Sequence, residues 1–181
     1  MATTLTTKAQ RAEARRKAAS NAGAAKHAEP GDDAIALLTA DHSQVAQWFD
    51  KYEDSASDEE KAALAAQICL ALTVHTQIEE ELFYPASREA TKDEDMIDEA
   101  VVEHATAKSL IAQIQSMKVG DDMYDAKVKV LGEYIKHHVK EEEEEIFPEV
   151  QSSKLDLREV GAKLAARKTE LMKELSPKQK H

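Results

Sequence analysis

The stretch HTQIEEELFYP at residues 75–85 returns as HVKEEEEEIFP at residues 138–148. Both copies place a glutamate four residues after a histidine, and both end with an aromatic residue close to a proline. A separation of four puts two side chains one turn apart on the same face of an α-helix. The repeat therefore predicts two helices that each direct an imidazole and a carboxylate towards the same region.

The composition is typical of a helical protein. The chain has 181 residues, only 4% of them aromatic, and five glycines. This length suits one domain with its own core, and a chain rich in Ala, Glu, Lys and Leu favours helices over a sandwich or barrel. We expect an all-α fold in which residues 32–150 form a four-helix bundle. Residues 1–31 are expected to be a basic disordered tail, and residues 151–181 a further C-terminal helix and tail.

The charge distribution limits the partners of the chain. The net charge is −11, although residues 1–29 (six basic and two acidic groups) and 154–181 (eight and four) are basic, which leaves −19 for the middle. An acidic body repels phosphate backbones, so we expect no nucleic-acid partner for it, and the small basic tails leave weak contact with one as an alternative. No protein partner is indicated.

The sequence favours a cytoplasmic location. No apolar run is long enough to span a bilayer, and the N-terminus lacks the apolar block of a secretory signal. Its Arg, Ala, Ser and Thr content leaves an organellar transit peptide as an alternative. The single cysteine, Cys69, lies in an apolar run and is expected to be a buried, inert thiol.

Capping and breaking residues divide the chain into five predicted helices. They run from Asp32 or Asp33 to about Tyr52, from Ser57 to near Pro85, from Thr91 to Gly120, from Asp121 or Asp122 to near Pro148, and from about Asp156 to Leu175. Short connections between the first four favour an up-down-up-down antiparallel bundle, with the fifth helix packed outside it.

Each bundle helix carries an apolar stripe at helical spacing. The stripes are Leu38, Val45, Phe49 and Tyr52; Leu64, Ile68, Ala71 or Leu72 and Leu82; Ile97, Val101, Ile111 and Ile114; and Val128, Leu131, Ile135 and Ile146. The fifth helix has a stripe of its own, formed by Leu157, Val160, Leu164 and Leu171.

Polar residues that can bind metal interrupt the four bundle stripes. They are His42, His75, Glu79, His104, His138 and Glu142. A single buried histidine is more often an ordinary core residue than a ligand. One such histidine in every bundle helix weakens that explanation. Two buried carboxylates would also cost several kcal/mol each without a compensating cation.

The donor types indicate the metal. Imidazoles with carboxylates suit iron and similar divalent ions, whereas structural zinc usually draws on cysteine. Six ligands with two shared carboxylates indicate two ions. We therefore infer a dinuclear iron site bridged by Glu79 and Glu142, with the four histidines as terminal ligands, and the pairing of histidines with ions stays open.

The order His, His-x-x-x-Glu, His, His-x-x-x-Glu over residues 34 to about 150 resembles the hemerythrin-like (HHE) cation-binding domain family. The resemblance implies a four-helix bundle that holds an oxo- or hydroxo-bridged non-haem di-iron centre and meets dioxygen or related small oxidants. The Glu-x-x-His motif of ferritin-like bundles is absent before these histidines.

Two positions depart from the oxygen-carrying members of that family. Lys108 stands where they place a second histidine in the third helix, and Glu142 stands where they use aspartate. An open position favours redox reactivity over reversible oxygen carriage. Tyr134, one turn before His138, is a candidate outer donor or ligand, or else a core tyrosine.

The remaining polar residues receive no metal role. His137 lies about 100° round the helix from His138 and should point elsewhere. His27 and His181 are likewise given no metal role. Glu80, Glu81 and the neighbours of Glu142 are expected to form a solvated face.

The sequence supports three functions. The leading one is a di-iron protein that binds, senses or reacts with dioxygen, peroxide or nitric oxide. The alternatives are a metal-buffering module without redox turnover and a structural or interaction bundle. Family resemblance supports the site better than it supports any reaction, so no catalytic residue is assigned.

Overall fold

A computed structural model of the chain describes residues 33–91 and 94–176, and all regular elements in these ranges are helical. In chain order they are α1 (Ala34–Asp54), α2 (Asp58–Ile78), a first π-helical turn (Glu79–Phe83), α3 (Tyr84–Thr91), α4 (Glu94–Gln115), α5 (Tyr124–Glu141), a second π-helical turn (Glu142–Ile146), α6 (Phe147–Ser152) and α7 (Leu157–Leu175). The all-α prediction is confirmed. The predicted N-terminal tail lies outside the described residues.

The four long helices α1, α2, α4 and α5 form a ring. Helix α1 packs against α2 and α5, and α4 packs against the same two helices. This arrangement is consistent with the expected up-down-up-down order. Helix α7 packs on the outside, against α1 and α2, as its apolar stripe predicted. None of the described helices is both long enough and apolar enough to cross a membrane.

Two apolar clusters fill the bundle. One gathers residues such as Leu38, Phe83 and Phe147, and the other residues such as Val45, Ile68 and Leu131. The histidines and glutamates singled out above lie between these clusters along each helix. The polar layer is therefore closed on both sides by packed side chains that keep bulk water away.

Most predicted helix starts coincide with caps in the structure. The Asp33 carboxylate accepts from the Ala36 N–H at 2.8 Å, and Ser57 accepts from Glu60 at 3.3 Å. The start of α5 was predicted wrongly. This helix follows Met123, whose φ of 72° is left-handed. The Asp121 carboxylate does not cap the helix, because it accepts a hydrogen bond from the Lys118 N–H at 2.8 Å and closes the preceding turn.

Both predicted helix ends at proline are wrong. The chain stays helical through Pro85 to Thr91 and through Pro148 to Ser152. Each proline is the second residue of the α-helix that follows a π-helical turn. The hydrogen-bond pattern shifts at these turns, where the Tyr84 N–H bonds the carbonyl of Glu79 five residues earlier, and the proline that follows has no N–H to place in that pattern.

One residue of the third stripe was predicted wrongly, whereas Ile97, Ile111 and Ile114 are buried as expected. Val101 is 37% exposed, whereas Ala100 and Ala107 are buried beside His104. The inward positions of α4 alternate in steps of three and four, and small alanines let α4 approach its neighbours closely. Cys69 is buried as expected, and burial raises the pKa of its thiol to about 11.

Candidate metal centre

The structure brings the six predicted ligands together in the middle of the bundle. The histidines come from the four long helices, and Glu79 and Glu142 are the first residues of the two π-helical turns. All six are buried, and both glutamates are 0% exposed. Charged groups so far from water require compensation by partners or by a cation.

Local backbone structure explains the position of each glutamate. The Glu79 N–H donates to the carbonyls of both His75 and Thr76, and the Tyr84 N–H donates to the Glu79 carbonyl five residues earlier. The second turn repeats this pattern around Glu142. A π-helical turn holds one residue more than an α-helical turn, and such turns are frequent at functional sites. The wider turn keeps adjacent residues such as Phe83 and Tyr84 buried together.

The imidazoles lie in two close pairs. The Nε2 atoms of His42 and His75 are 3.1 Å apart, and those of His104 and His138 are 3.0 Å apart. Atoms that converge this closely face one common point in each pair. The two pairs come from the first and second halves of the bundle.

Each carboxylate lies between the two imidazole pairs. Glu79 Oε2 is 3.1 Å from His75 Nε2 and 3.4 Å from His104 Nε2. Glu142 Oε2 is 3.3 Å from His42 Nε2 and 3.5 Å from His138 Nε2. The potential ligand atoms fall into two overlapping groups: His42, His75, Glu79 and Glu142, and Glu79, His104 and His138.

The carboxylate oxygens lack the partners that burial demands. Within the described residues, neither oxygen of Glu79 has a hydrogen-bond partner, and Glu142 Oε2 has none. Burial, followed by the charge of Glu142, raises the pKa of Glu79. Burial also tends to raise the pKa of Glu142. The nearby imidazoles, of which His42 is the first, outweigh burial and lower this pKa to about 2. Orphaned buried oxygens beside convergent imidazoles fit a bound cation.

A carboxylate lies beside the outer nitrogen of every ligand histidine. The Nδ1 contacts are His42 with Glu143 at 2.9 Å, His75 with Asp41 at 3.5 Å, His104 with Glu80 at 3.1 Å and His138 with Glu103 at 2.7 Å. Such partners fix the ring orientation and leave Nε2 free to bind metal.

Sequence reasoning missed these outer carboxylates, although the repeat contains a signal for them. Asp41 and Glu103 each precede a ligand histidine, and Glu80 and Glu143 each follow a ligand glutamate. The prediction of a solvated face is wrong for Glu80, whose side chain is 29% exposed and ion-paired. It is only partly right for Glu143, which is exposed but also contacts His42.

Two lysines contact the outer carboxylates. Lys108 Nζ lies 2.6 Å from both oxygens of Glu80, and Lys168 of α7 pairs with Asp41. Lys108 therefore does not replace a histidine ligand in space. It neutralises a carboxylate that orients His104.

Tyr84 is the tyrosine that reaches the site. Its buried hydroxyl donates to Glu142 Oε1 at 2.7 Å and lies 3.2 Å from His104 Nε2. Burial and then the charge of Glu142 raise the Tyr84 pKa, so the phenol keeps its proton. Tyr134 instead packs against an apolar cluster. The exposed His137 points away from the ligands, as expected, towards Glu141.

Comparisons with known proteins agree with this arrangement. Residues 33–150 match the model of the hemerythrin HHE cation-binding domain. The chain belongs to this family, and the resemblance seen in the sequence is confirmed.

One relative and one solved structure show how far the similarity extends. A DNA nickase from Nostoc sp. (strain PCC 7120 / SAG 25.82 / UTEX 2576) is 26% identical over 117 residues, which cover 65% of this chain and 33% of that protein. The chain thus spans about a third of the length of that relative. The chain also resembles the crystal structure of a hemerythrin HHE cation-binding domain-containing protein from Mycobacterium kansasii, with a TM-score of 0.67. The two sequences are 25% identical, and the match covers 78% of this chain and 88% of the Mycobacterium kansasii chain.

Proposed function

We propose that the chain is a non-haem di-iron protein that binds, senses or reacts with dioxygen, peroxide or nitric oxide. The observation that supports this most strongly is the pair of fully buried carboxylates, with three oxygens unpartnered, between two imidazole pairs. Membership of a cation-binding family supports metal binding in general. The assignment of iron rests on the donor set of four imidazoles and two carboxylates, without a thiolate.

The geometry suggests which residues hold which ion. His42 with His75 would bind one iron, His104 with His138 the other, and Glu79 and Glu142 would bridge them. Bound iron would supply reversible one-electron chemistry and an open position for a small oxidant.

The other residues of the site orient groups and exclude water. The Tyr84 hydroxyl holds its proton at Glu142 Oε1 and fixes that carboxylate. The Phe147 ring stacks on His42, with ring centroids 5.8 Å apart, and closes the same side of the site. The outer carboxylates set the tautomer of each imidazole, as hydrogen bonds to the second ring nitrogen do in metal sites.

A groove offers small molecules a path towards the site. It lies between α1 and α5, has a volume of about 670 Å³ and ends at His42. Phe49, Val128 and Ile135 contribute apolar surface to it. Dioxygen and nitric oxide are small and apolar, so this groove suits them.

Metal buffering without redox turnover is a second candidate. The complete burial of Glu79 and Glu142 favours retention of a metal over its reaction. Consumption of peroxide or dioxygen per iron separates this candidate from the first. A nucleic-acid function is not proposed, because the net charge is −11 and the match to the DNA nickase covers a third of that protein.

Metal content and the visible spectrum test the proposal. We compare wild type with Glu142→Ala and with the control Glu144→Ala, which lies at an exposed position in the same glutamate run. Each protein is analysed before reduction and after re-exposure to air. Two irons per chain and an oxo-to-iron absorption band, both lost only in Glu142→Ala, are expected. One zinc, or no metal in a folded wild type, would contradict the redox function and leave the buffering or structural bundle.

A further inference from the structure

A second cluster of potential metal ligands lies at the surface between α4 and α5. It consists of Glu103, His137 and Glu141, whose ligand atoms lie within 4.8 Å of one another. His137 Nε2 is 3.4 Å from Glu141 Oε1 and 3.9 Å from Glu103 Oε1. These separations leave room for a cation between the three side chains, since metal–ligand bonds of about 2.0–2.2 Å separate neighbouring ligand atoms by somewhat more than 3 Å.

This outer cluster repeats the spacing of the inner ligands. His137 and Glu141 are four residues apart, as His138 and Glu142 are, one position earlier in the chain. The two pairs therefore lie on adjacent faces of the same helical segment. One pair faces the bundle interior, and the other reaches the surface, where the His137 side chain is 61% exposed.

A shared carboxylate connects the two clusters. Glu103 Oε2 contacts His138 Nδ1 at 2.7 Å, while its Oε1 faces His137. Glu103 can bind an outer cation through one oxygen and keep His138 oriented through the other. A cation at the surface therefore need not disturb the inner ligand.

A small cavity lies between the clusters. It measures about 20 Å³ and is lined by Glu103 and Glu141 on the outer side and by His138 and Glu142 on the inner side. This volume accommodates one water-sized particle. Glu142, which also lines the cavity, is fully buried, and among the described residues its Oε2 has no hydrogen-bond partner.

We propose that Glu103, His137 and Glu141 form an outer site for a divalent cation that loads the inner centre. The cation binds first at the surface and then passes through the cavity to Glu142. Exposure makes the outer site weak enough to release its ion, and burial makes the inner site the stronger one. This inference rests on the proposed function for the identity of the final ion, but the outer site itself needs only a divalent cation.

Two measurements test the site and its role separately. The first is a Co²⁺ titration of metal-free protein, with His137→Gln as the variant and Glu133→Gln as the control. Glu133 is exposed, lies on the same helix and lines the groove at His42. The wild type and the control are expected to show a weak binding step beyond the inner ones, and His137→Gln is expected to lose it.

The second measurement is the rate at which Fe²⁺ develops the absorption of the loaded centre. Loading of His137→Gln is expected to be several-fold slower than that of the wild type, with the same final iron content. Slower loading of Glu133→Gln alone would assign the route to the α1–α5 groove and overturn the loading role. An unchanged Co²⁺ titration in His137→Gln would overturn the outer site.

The outcomes also distinguish this inference from the proposed function. Loss of the weak Co²⁺ step in His137→Gln, in a protein that retains no iron, would support the outer site and contradict the di-iron function. Normal iron content with unchanged loading rates would support the di-iron function and contradict the loading role. A wild type that binds neither ion would contradict both.

Discussion

The first helical hairpin, from α1 to α3 (residues 34–91), and the second, from α4 to α6 (residues 94–152), supply equivalent inner ligands. The paired histidines are 33 residues apart in the first hairpin and 34 in the second. Each hairpin also stacks one aromatic ring on a histidine of the other: Tyr84 on His104 and Phe147 on His42. The inner layer therefore has an approximate twofold repeat.

The groups around that layer do not repeat. Tyr84 has a hydroxyl that donates to Glu142, whereas Phe147, at the equivalent place, leaves both oxygens of Glu79 without a donor. Asp41 pairs with Lys168, whereas its counterpart Glu103 faces the exposed His137. The difference teaches that the repeat determines where ligands lie, while the surrounding residues make the two halves electrostatically unequal.

The largest expected effect comes from removing one imidazole from either half. His75→Ala and His138→Ala should each lower metal content, because each removes one of two converging nitrogens. The loss of affinity should exceed the ~10–100-fold typical of changing an outer partner. Elemental analysis after dialysis measures it, and Glu144→Ala, at an exposed position, is the control. Full metal content in both variants would contradict the ligand role of these histidines, whereas no metal in wild type or variants, with only a small change in stability, would favour the structural bundle.

The next effect concerns the hydroxyl that distinguishes the halves. Tyr84→Phe leaves Glu142 Oε1 without its donor and should destabilise metal-free protein by about 1.5–3 kcal/mol, the range for a hydrogen bond to a charged group. The reciprocal Phe147→Tyr brings a hydroxyl near the unpartnered Glu79 and should raise stability. Urea unfolding measures both, with Tyr134→Phe as control. Equal stabilities for Tyr84→Phe and wild type would show that the hydroxyl does not differentiate the halves.

A smaller effect is expected from the lysines. Lys168→Met removes a positive charge beside Asp41, which should strengthen the interaction of Asp41 with His75 and lower the reduction potential of bound iron. Lys108→Met should act in the same direction through Glu80 and His104. Spectroelectrochemistry measures the potential, and Lys163→Met, on the exposed face of α7, is the control. Lys168→Arg keeps the positive charge and should keep the wild-type potential. A potential as low in Lys168→Arg as in Lys168→Met would argue against a charge effect.

The smallest expected effect is on stability, and it comes from hydrogen bonds that connect the two hairpins away from the candidate metal centre. Asp125 of α5 accepts from the Tyr52 hydroxyl of α1 at 2.6 Å and from Lys61 at 2.9 Å. These two partners, Tyr52 first, lower the pKa of Asp125 below its ordinary value of 3.8. A lowered folded-state pKa stabilises the fold above the unfolded-state pKa, and the contribution is lost as pH falls through the folded value.

Asp125→Asn should therefore be less stable than wild type at neutral pH, and the difference should shrink in acid. Urea unfolding at neutral pH and at a pH below 3.8 measures this trend. A difference that stays constant with pH would assign the effect to shape and not to charge.

The inward position of the six proposed ligands was predictable from sequence because it depends on short-range periodicity. Residues such as His75 and Glu79 interrupt an apolar stripe at helical spacing, so their inward direction follows from the pattern. The structure places all six predicted ligands in one layer. The all-α class followed from composition in the same way.

The outer carboxylates and Tyr84 were not predicted, because they depend on contacts between helices. Glu80 reaches His104 of another helix, and no periodicity within α2 indicates that pairing. Tyr84 was missed because a regular helix would not bury it together with Glu79, five residues earlier. Here the equivalence of Tyr84 and Phe147 in the repeat was the available signal.

The two π-helical turns have a consequence for how this fold tolerates changes in length. Deleting one residue from the segment Glu79–Phe83 would restore regular α-helical hydrogen bonding. Because a π-helical turn holds one residue more than an α-helical turn, this deletion would leave Tyr84 on the same side of the helix as Glu79, four residues after it instead of five. Converting the turn to an α-helix without a deletion would instead rotate Tyr84 by about 100° away from the side that Glu79 occupies, since this is the angle between successive residues of an α-helix. A chain one residue shorter at either turn is therefore expected to keep its buried aromatic rings beside the centre, whereas a chain one residue longer is expected to turn them away from it.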